Sequence, residues 1–183
     1  ETIEVVEQVL IKFNQEIVEA LKKQSCNSEP INSKTNNIIS VIKENDVLGF
    51  VGTPTKIDKN IIDKIVNEKK VPVIAPLGLD ESNQTYNINA DTAAGSIAKK
   101  IEARRLIIMS DVEGVLDNNQ KLIPEINSAS IKELIEDATI TGGMIPKINN
   151  CLDVASNGVK GVVIIDGRKN HSILFELLSD KGL

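Results

Sequence analysis

Apolar residues recur at helical spacing through the opening stretch, as Ile3, Val6, Val9, Leu10, Phe13, Ile17, Val18 and Leu21. The spacing predicts helix over residues 2–24, divided into two near Lys12. The polar run QSCNSEPINSKTNN follows, and with Pro30 it predicts a loop, the least ordered part of the chain. Short strands are predicted at residues 38–42 and 49–51, and Asp58 is placed to cap a helix running through Asn67. VPVIAP then predicts a buried strand.

From there strands and helices alternate. A helix is expected over residues 89–101, a strand at RLIIMS, helices over 130–137 and 144–156, a strand at GVVIID and a last helix from about Asn170. Strands of continuous Val and Ile between helices predict an α/β fold with a parallel sheet covered on both faces. Ligands in such sheets sit beyond the carboxyl ends of the strands. Three polar segments follow strands, GLDESNQTYNINAD, SDVEGVLD and DGRKNH, and the fold is expected to gather them along one edge.

Composition narrows the function class. With 183 residues, 41% of them hydrophobic and 26% charged, the chain is long enough for a full core and reads as a globular protein. A net charge of -5 argues against nucleic acid, and an aromatic content of 2% leaves little for base stacking. No apolar run approaches the roughly 18 residues that span a bilayer, and no signal-peptide pattern is present, so an intracellular protein without membrane contact is expected. Cys26 and Cys151 are isolated, which gives neither a zinc site nor a redox pair. The single His171 removes mechanisms that need two histidines. No metal site is expected on the protein itself.

Two junctions carry candidate chemistry. At NINAD, Asn89 is a suitable N-cap and Asp91 falls in the first helical turn, where free N–H groups and the helix dipole favour negative charge. The same junction suits a helix start that offers donors to an anionic substrate. At TGGMIPK, Gly142 and Gly143 let backbone amides approach a ligand and Lys147 lies one turn into the following helix. Taken alone, those residues fit a helix–helix turn with a solvated lysine better, since Gly pairs are common turn punctuation. Neither a G-x-x-x-x-G-K-[ST] loop nor a strand-borne G-x-G-x-x-G is present.

YNINADTAAGSIA, SDVEGVLD, ITGGMIPK and IIDGRKNHSILFEL, in this order and spacing, resemble the acetylglutamate kinases of the amino acid kinase family. GFVGTPTKID and the opening ETIEVVEQVL fit the same resemblance, which covers the chain apart from residues near 22–40. It implies a three-layer αβα sandwich with a mainly parallel central sheet, and phosphorylation of the side-chain carboxylate of N-acetyl-L-glutamate by ATP in arginine biosynthesis, with Mg2+ carried on the nucleotide. It implies that Asn87 and Asn89 bind acetylglutamate, that Asp91 orients the catalytic lysines and that Lys147 stabilises the phosphoryl group in flight. Nucleotide contacts are implied at Ser110, Asp111, Val112, Gly114, Val115 and Leu116, and at Thr139, Ile140, Thr141, Gly142 and Gly143. An arginine inhibitor site is implied at His171, Ser172, Glu176 and Gly182. Homo-oligomers are implied, as is a PII-type signalling partner in some members, in a bacterial cytoplasm or a plastid stroma.

The family pattern opens with a Lys-containing glycine-rich loop and a His-Gly-Gly-Gly-type substrate loop, and neither occurs in these residues. The chain is therefore expected to be a fragment of a working kinase, with residues 1–40 a remnant of the acetylglutamate-binding lobe and 41–183 the nucleotide-binding lobe. The competing expectations are another amino acid kinase, a degenerate copy, or a non-catalytic module that senses nucleotide or arginine.

Overall fold

The computed structural model describes residues 2–117, 119 and 121–178. The chain divides into two compact units, residues 1–101 and 102–183. The boundary expected after residue 40 falls inside a strand of the first unit, Ile39–Lys43.

In the first unit, helix α1 (Thr2–Lys23) is continuous. It contains no Gly or Pro, and Lys12, where a break was expected, is a good helix former. Ile3 and Val18 are buried, whereas Val9 and Phe13 are exposed. The inward face includes Asn14, whose Nδ2 donates to the Val73 carbonyl (2.8 Å) and whose Oδ1 accepts from Asn32 (3.2 Å). Apolar periodicity therefore located the helix, but a satisfied polar residue completes its buried face.

The expected loop after α1 contains strand β1 (Ser28–Ile31), paired in parallel with β4 (Val71–Ile74). Glu-Pro in the middle of β1 hides it from pattern reading, because the partner β4 supplies the reason for the strand. The residues after it are pinned too: Asn32 Oδ1 accepts from the backbone of Lys34 (3.0 Å) and Thr35 (2.9 Å).

A four-stranded sheet has the order β3-β2-β5-β6, from β2 (Ile39–Lys43), β3 (Gly52–Ile57), β5 (Leu77–Leu79) and β6 (Thr85–Asn87). The strand expected at 49–51 starts instead at Gly52, because Gly49, at φ 66°, belongs to the preceding turn. Pro54 is tolerated in β3 because that strand is at the sheet edge. Helix α2 (Lys59–Asn67) begins at the Asp58 cap, as expected. The segment after β4, read as polar loop, forms the β5–β6 hairpin. Its turn is held by Asp80 Oδ1, which accepts from Ser82 N (2.8 Å) and Gln84 N (2.9 Å). Helix α3 (Ala90–Lys100) follows directly. Ile31, Ile39, Val41, Ile62, Tyr86 and Ile88 form the core of this unit.

In the second unit β7 (Arg105–Ser110) and β8 (Gly161–Asp166) pair in parallel. With them are α4 (Ser128–Glu136), α5 (Met144–Ser156) and α6 (Ser172–Leu178), all close to their expected bounds. The core comprises Val115, Ile131, Ile140 and Ile148. Parallel pairing thus joins β1 to β4, β2 to β5 and β7 to β8, with antiparallel hairpins β2–β3 and β5–β6 added. Among the described residues no helix is long and apolar enough to cross a membrane.

Candidate active site

In the first unit, β6 runs straight into the α3 cap. Asn87 is its last residue, opposite Leu77 on β5, and its amide donates to the Phe50 carbonyl (2.9 Å). Ile88 is buried and donates to the Pro76 carbonyl (2.9 Å). Asn89 then caps α3, its Oδ1 accepting from Thr92 N at 3.1 Å. Asp91 sits half-buried in the first turn, where helix amides favour its charge. The capping role of Asn89 is therefore real, and strand pairing holds the Asn87 backbone at the entrance to that helix.

The second unit brings two polar segments together. Parallel register sets Ser110, the last residue of β7, beside Asp166, the last residue of β8. Gly167 N donates to the Ser110 carbonyl at 2.8 Å, tying the two strand ends. Asp111 and Val112 are exposed, whereas Gly114 and Val115 are buried. Gly114 has φ 135°, a backbone that side chains rarely adopt. Leu116 bridges Leu122 in a short antiparallel contact.

Asp166, which the motifs did not single out, is buried and forms a fork with Arg168. Oδ1 accepts from Nε and Oδ2 from a terminal guanidinium nitrogen, both at 2.9 Å, and the Arg168 amide adds a third bond at 2.9 Å. The guanidinium, reinforced by that amide, pulls the Asp166 carboxyl down to about 2. Beside it, Lys169 pairs with Glu113 at 3.2 Å. The loops after β7 and β8 are thus locked together by charge as well as by backbone. Because the folded-state value lies below the ordinary 3.8, the stability that the fork adds is complete above about pH 4 and is lost as pH falls toward 2. Melting temperatures at pH 7, 4 and 3 should therefore show a shallower acid decline in Asp166→Asn than in the unsubstituted protein.

The third segment enters α5. Thr139 N is held by Asp137 (2.9 Å), and Ile140 is buried in the same core as Val115 and Ile148. Both expected nucleotide segments therefore rest on one apolar cluster, and the side chains of Val115 and Ile140 face inward. Thr141, Gly142 and Gly143 are exposed. Gly142 has φ 53°, and Gly143, at φ -66°, starts α5 with no side-chain cap. A Cβ on either glycine would meet no atom within 4 Å. An open, positively polarised helix start of this kind fits an anionic oxygen. Pro146 fits in the first turn because its missing N–H has no helical acceptor there. Lys147, half-exposed, follows one turn in.

At the C-terminal segment, His171 is exposed with φ 64° and Ser172 is buried. Glu176 pairs with Arg105 of β7 at 3.2 Å, so this carboxylate already has an internal guanidinium partner. Gly182 lies outside the described residues.

The sequence profile of the amino acid kinase family matches residues 1–166. The chain belongs to this family. Among its relatives, the acetylglutamate kinase of Pelagibacter ubique (strain HTCC1062) is 68% identical over 182 residues, covering 100% of this chain and 63% of that protein. The chain thus spans less than two thirds of that relative. A crystal structure of smu.665 from Streptococcus mutans UA159 superposes with TM-score 0.76 at 32% identity, covering 83% of this chain and 62% of that one. N-acetylglutamate synthase from Neisseria gonorrhoeae, complexed with coenzyme A and N-acetyl-glutamate, covers 100% of this chain and 42% of that one, with TM-score 0.87. At 20% identity this last match speaks for the family fold alone.

Proposed function

We propose that the chain forms part of an acetylglutamate kinase, which transfers the γ-phosphoryl group of ATP to the side-chain carboxylate of N-acetyl-L-glutamate. The observation that carries this reading is the 68% identity, over the whole chain, to the acetylglutamate kinase of P. ubique. The first unit contributes to acetylglutamate binding through Asn87 and Asn89, and the second holds the nucleotide, a division at residue 101 rather than 40. The acceptor carboxylate has an ordinary pKa of about 4.3 and is ionised at pH 7, so no residue needs to remove a proton. The demand is for donors and cations around the phosphoryl oxygens. The Gly142–Gly143 backbone and Lys147 meet it on this chain. Mg2+ arrives with the nucleotide and neutralises phosphate charge. A bacterial relative at this identity favours a bacterial cytoplasm over a plastid.

A coupled assay with ATP, magnesium and acetylglutamate, run on the protein expressed from its complete reading frame, tests the reading. Turnover of acetylglutamate in preference to carbamate and to phosphate-bearing acceptors is expected, and preference for either of the latter would overturn it. Gly143→Val offers a second check. The space around Gly143 is open and its φ suits any residue, so the fold should be retained while ATP binding weakens by roughly tenfold or more through steric exclusion. Calorimetric titration with ATP measures it, and unchanged affinity would place the nucleotide elsewhere.

A further inference from the structure

The carboxylate of Glu7 on α1 joins three distant segments of the first unit. Oε1 accepts from Ser33 Oγ and from Thr85 Oγ1, both at 2.6 Å, and Oε2 faces Lys34 Nζ at 3.3 Å. The Glu7 side chain is only 13% exposed, and Ser33 and Thr85 are buried. Burial pushes the carboxyl up, but the two hydroxyls and the Lys34 ammonium outweigh it and hold it below the ordinary carboxylate range. A buried acceptor that collects two hydroxyl bonds across 26 and 78 residues of sequence is costly to desolvate, and its placement is specific.

That placement matters because of where Thr85 lies. It is two residues before Asn87 on β6, so the two side chains point to the same face of the strand. Tyr86 points to the other face and is buried in the core against Val41 and Ile88, with its ring 5.8 Å from that of Phe50. A strand of three residues has few ladder bonds of its own to hold it. Its core-facing side is held by Tyr86, and on its opposite side the Thr85 hydroxyl donates to Glu7.

We infer that Glu7 and Thr85 are positioning residues for acetylglutamate: the Glu7–Thr85 bond sets the face of β6 that carries Asn87 and thereby the affinity for the acceptor substrate. This rests on the proposed function in taking Asn87 as an acetylglutamate ligand. The two residues act through Asn87 and touch no reacting atom. Ser33 shares the Glu7 oxygen but anchors the loop after β1, which makes it an internal control for purely structural effects.

The test compares Michaelis constants and melting temperatures in the protein from its complete reading frame. Thr85→Val, which keeps the shape and removes the hydroxyl, should raise the KM for acetylglutamate roughly five- to tenfold, with the KM for ATP within twofold. Thr85→Ser should restore it. Glu7→Gln retains one oxygen able to accept both hydroxyls and should stay within twofold, whereas Glu7→Ala should behave as Thr85→Val does. Ser33→Ala should lower the melting temperature about as much as Thr85→Val but leave the acetylglutamate KM in place. If Thr85→Val and Ser33→Ala shift that KM equally, or if both melt earlier with it unchanged, the network is structural and the inference is wrong. A wild-type protein that does not turn over acetylglutamate removes the proposed function itself, whereas an active wild type with an unaffected Thr85→Val variant removes only this inference.

Discussion

Lys147→Ala, in the protein expressed from its complete reading frame, should lower kcat for acetylglutamate phosphorylation by about two to three orders of magnitude, the usual cost of removing one preorganised stabilising group. The KM for ATP should move little. Lys147 lies one turn into α5, behind an uncapped helix start where Thr141, Gly142 and Gly143 are exposed. During transfer the phosphoryl group separates from its leaving oxygen and spreads charge over its equatorial oxygens, so an ammonium nearby gains most at the transition state. A group that acts there depresses kcat and kcat/KM together, whereas a ground-state contact raises KM. Steady-state kinetics with ATP and acetylglutamate each varied will separate the two. A variant that keeps its full rate would mean that Lys147 is only a surface lysine of the helix.

Asn87→Ala should raise the KM for acetylglutamate by about 10- to 100-fold, the range for losing a hydrogen bond to a charged group. The KM for ATP should change far less. The fold should survive, because the Asn87 backbone keeps its bond to the Phe50 carbonyl and its pairing with Leu77 whatever the side chain is. Its amide can both donate and accept, which suits an acceptor carrying a carboxylate and an acetamido group. Equal effects on both substrates would identify the amide as structural. With Thr85→Val the smaller of the two effects on the same constant, the pair also ranks a direct ligand above the residue that positions it.

Much of the second unit was legible from the chain alone. RLIIMS and GVVIID are unbroken apolar runs, and both became strands at the expected bounds. Helix α5 runs over Met144–Ser156 as expected, because Gly142 and Gly143 before it and Asn157-Gly158 after it are strong local punctuation. The junction at Asn89 was equally clear, since a capping side chain acts on amides two or three residues away. Of the motifs that carry the family resemblance, NINAD at the Asn89 cap and TGGMIPK at the start of α5 lie in such locally determined places.

The first unit resisted reading where its interactions are non-local. β1 contains Glu-Pro, β3 contains Thr-Pro-Thr-Lys and β6 has three residues, and none shows the alternation that reveals a strand. β1 is a strand because β4, from another part of the chain, supplies its ladder, and β3 and β6 are strands because the hairpin arms before them, β2 and β5, supply theirs. Asp166 could have been noticed as an acid ending a strand two residues before an arginine, a spacing that permits a local fork. Glu7 and Thr85 left no such trace, since 78 residues separate them. Helix spacing, capping and turn chemistry are properties of a few consecutive residues, so the helices, the two strands of the second unit and the location of the family motifs follow from the chain itself. Strand partners and buried polar bonds depend on which distant groups meet once water is excluded. Only the folded unit therefore decided that β1 lies beside β4, that Asn14 faces inward, and that one carboxylate on the first helix holds the strand ending in Asn87.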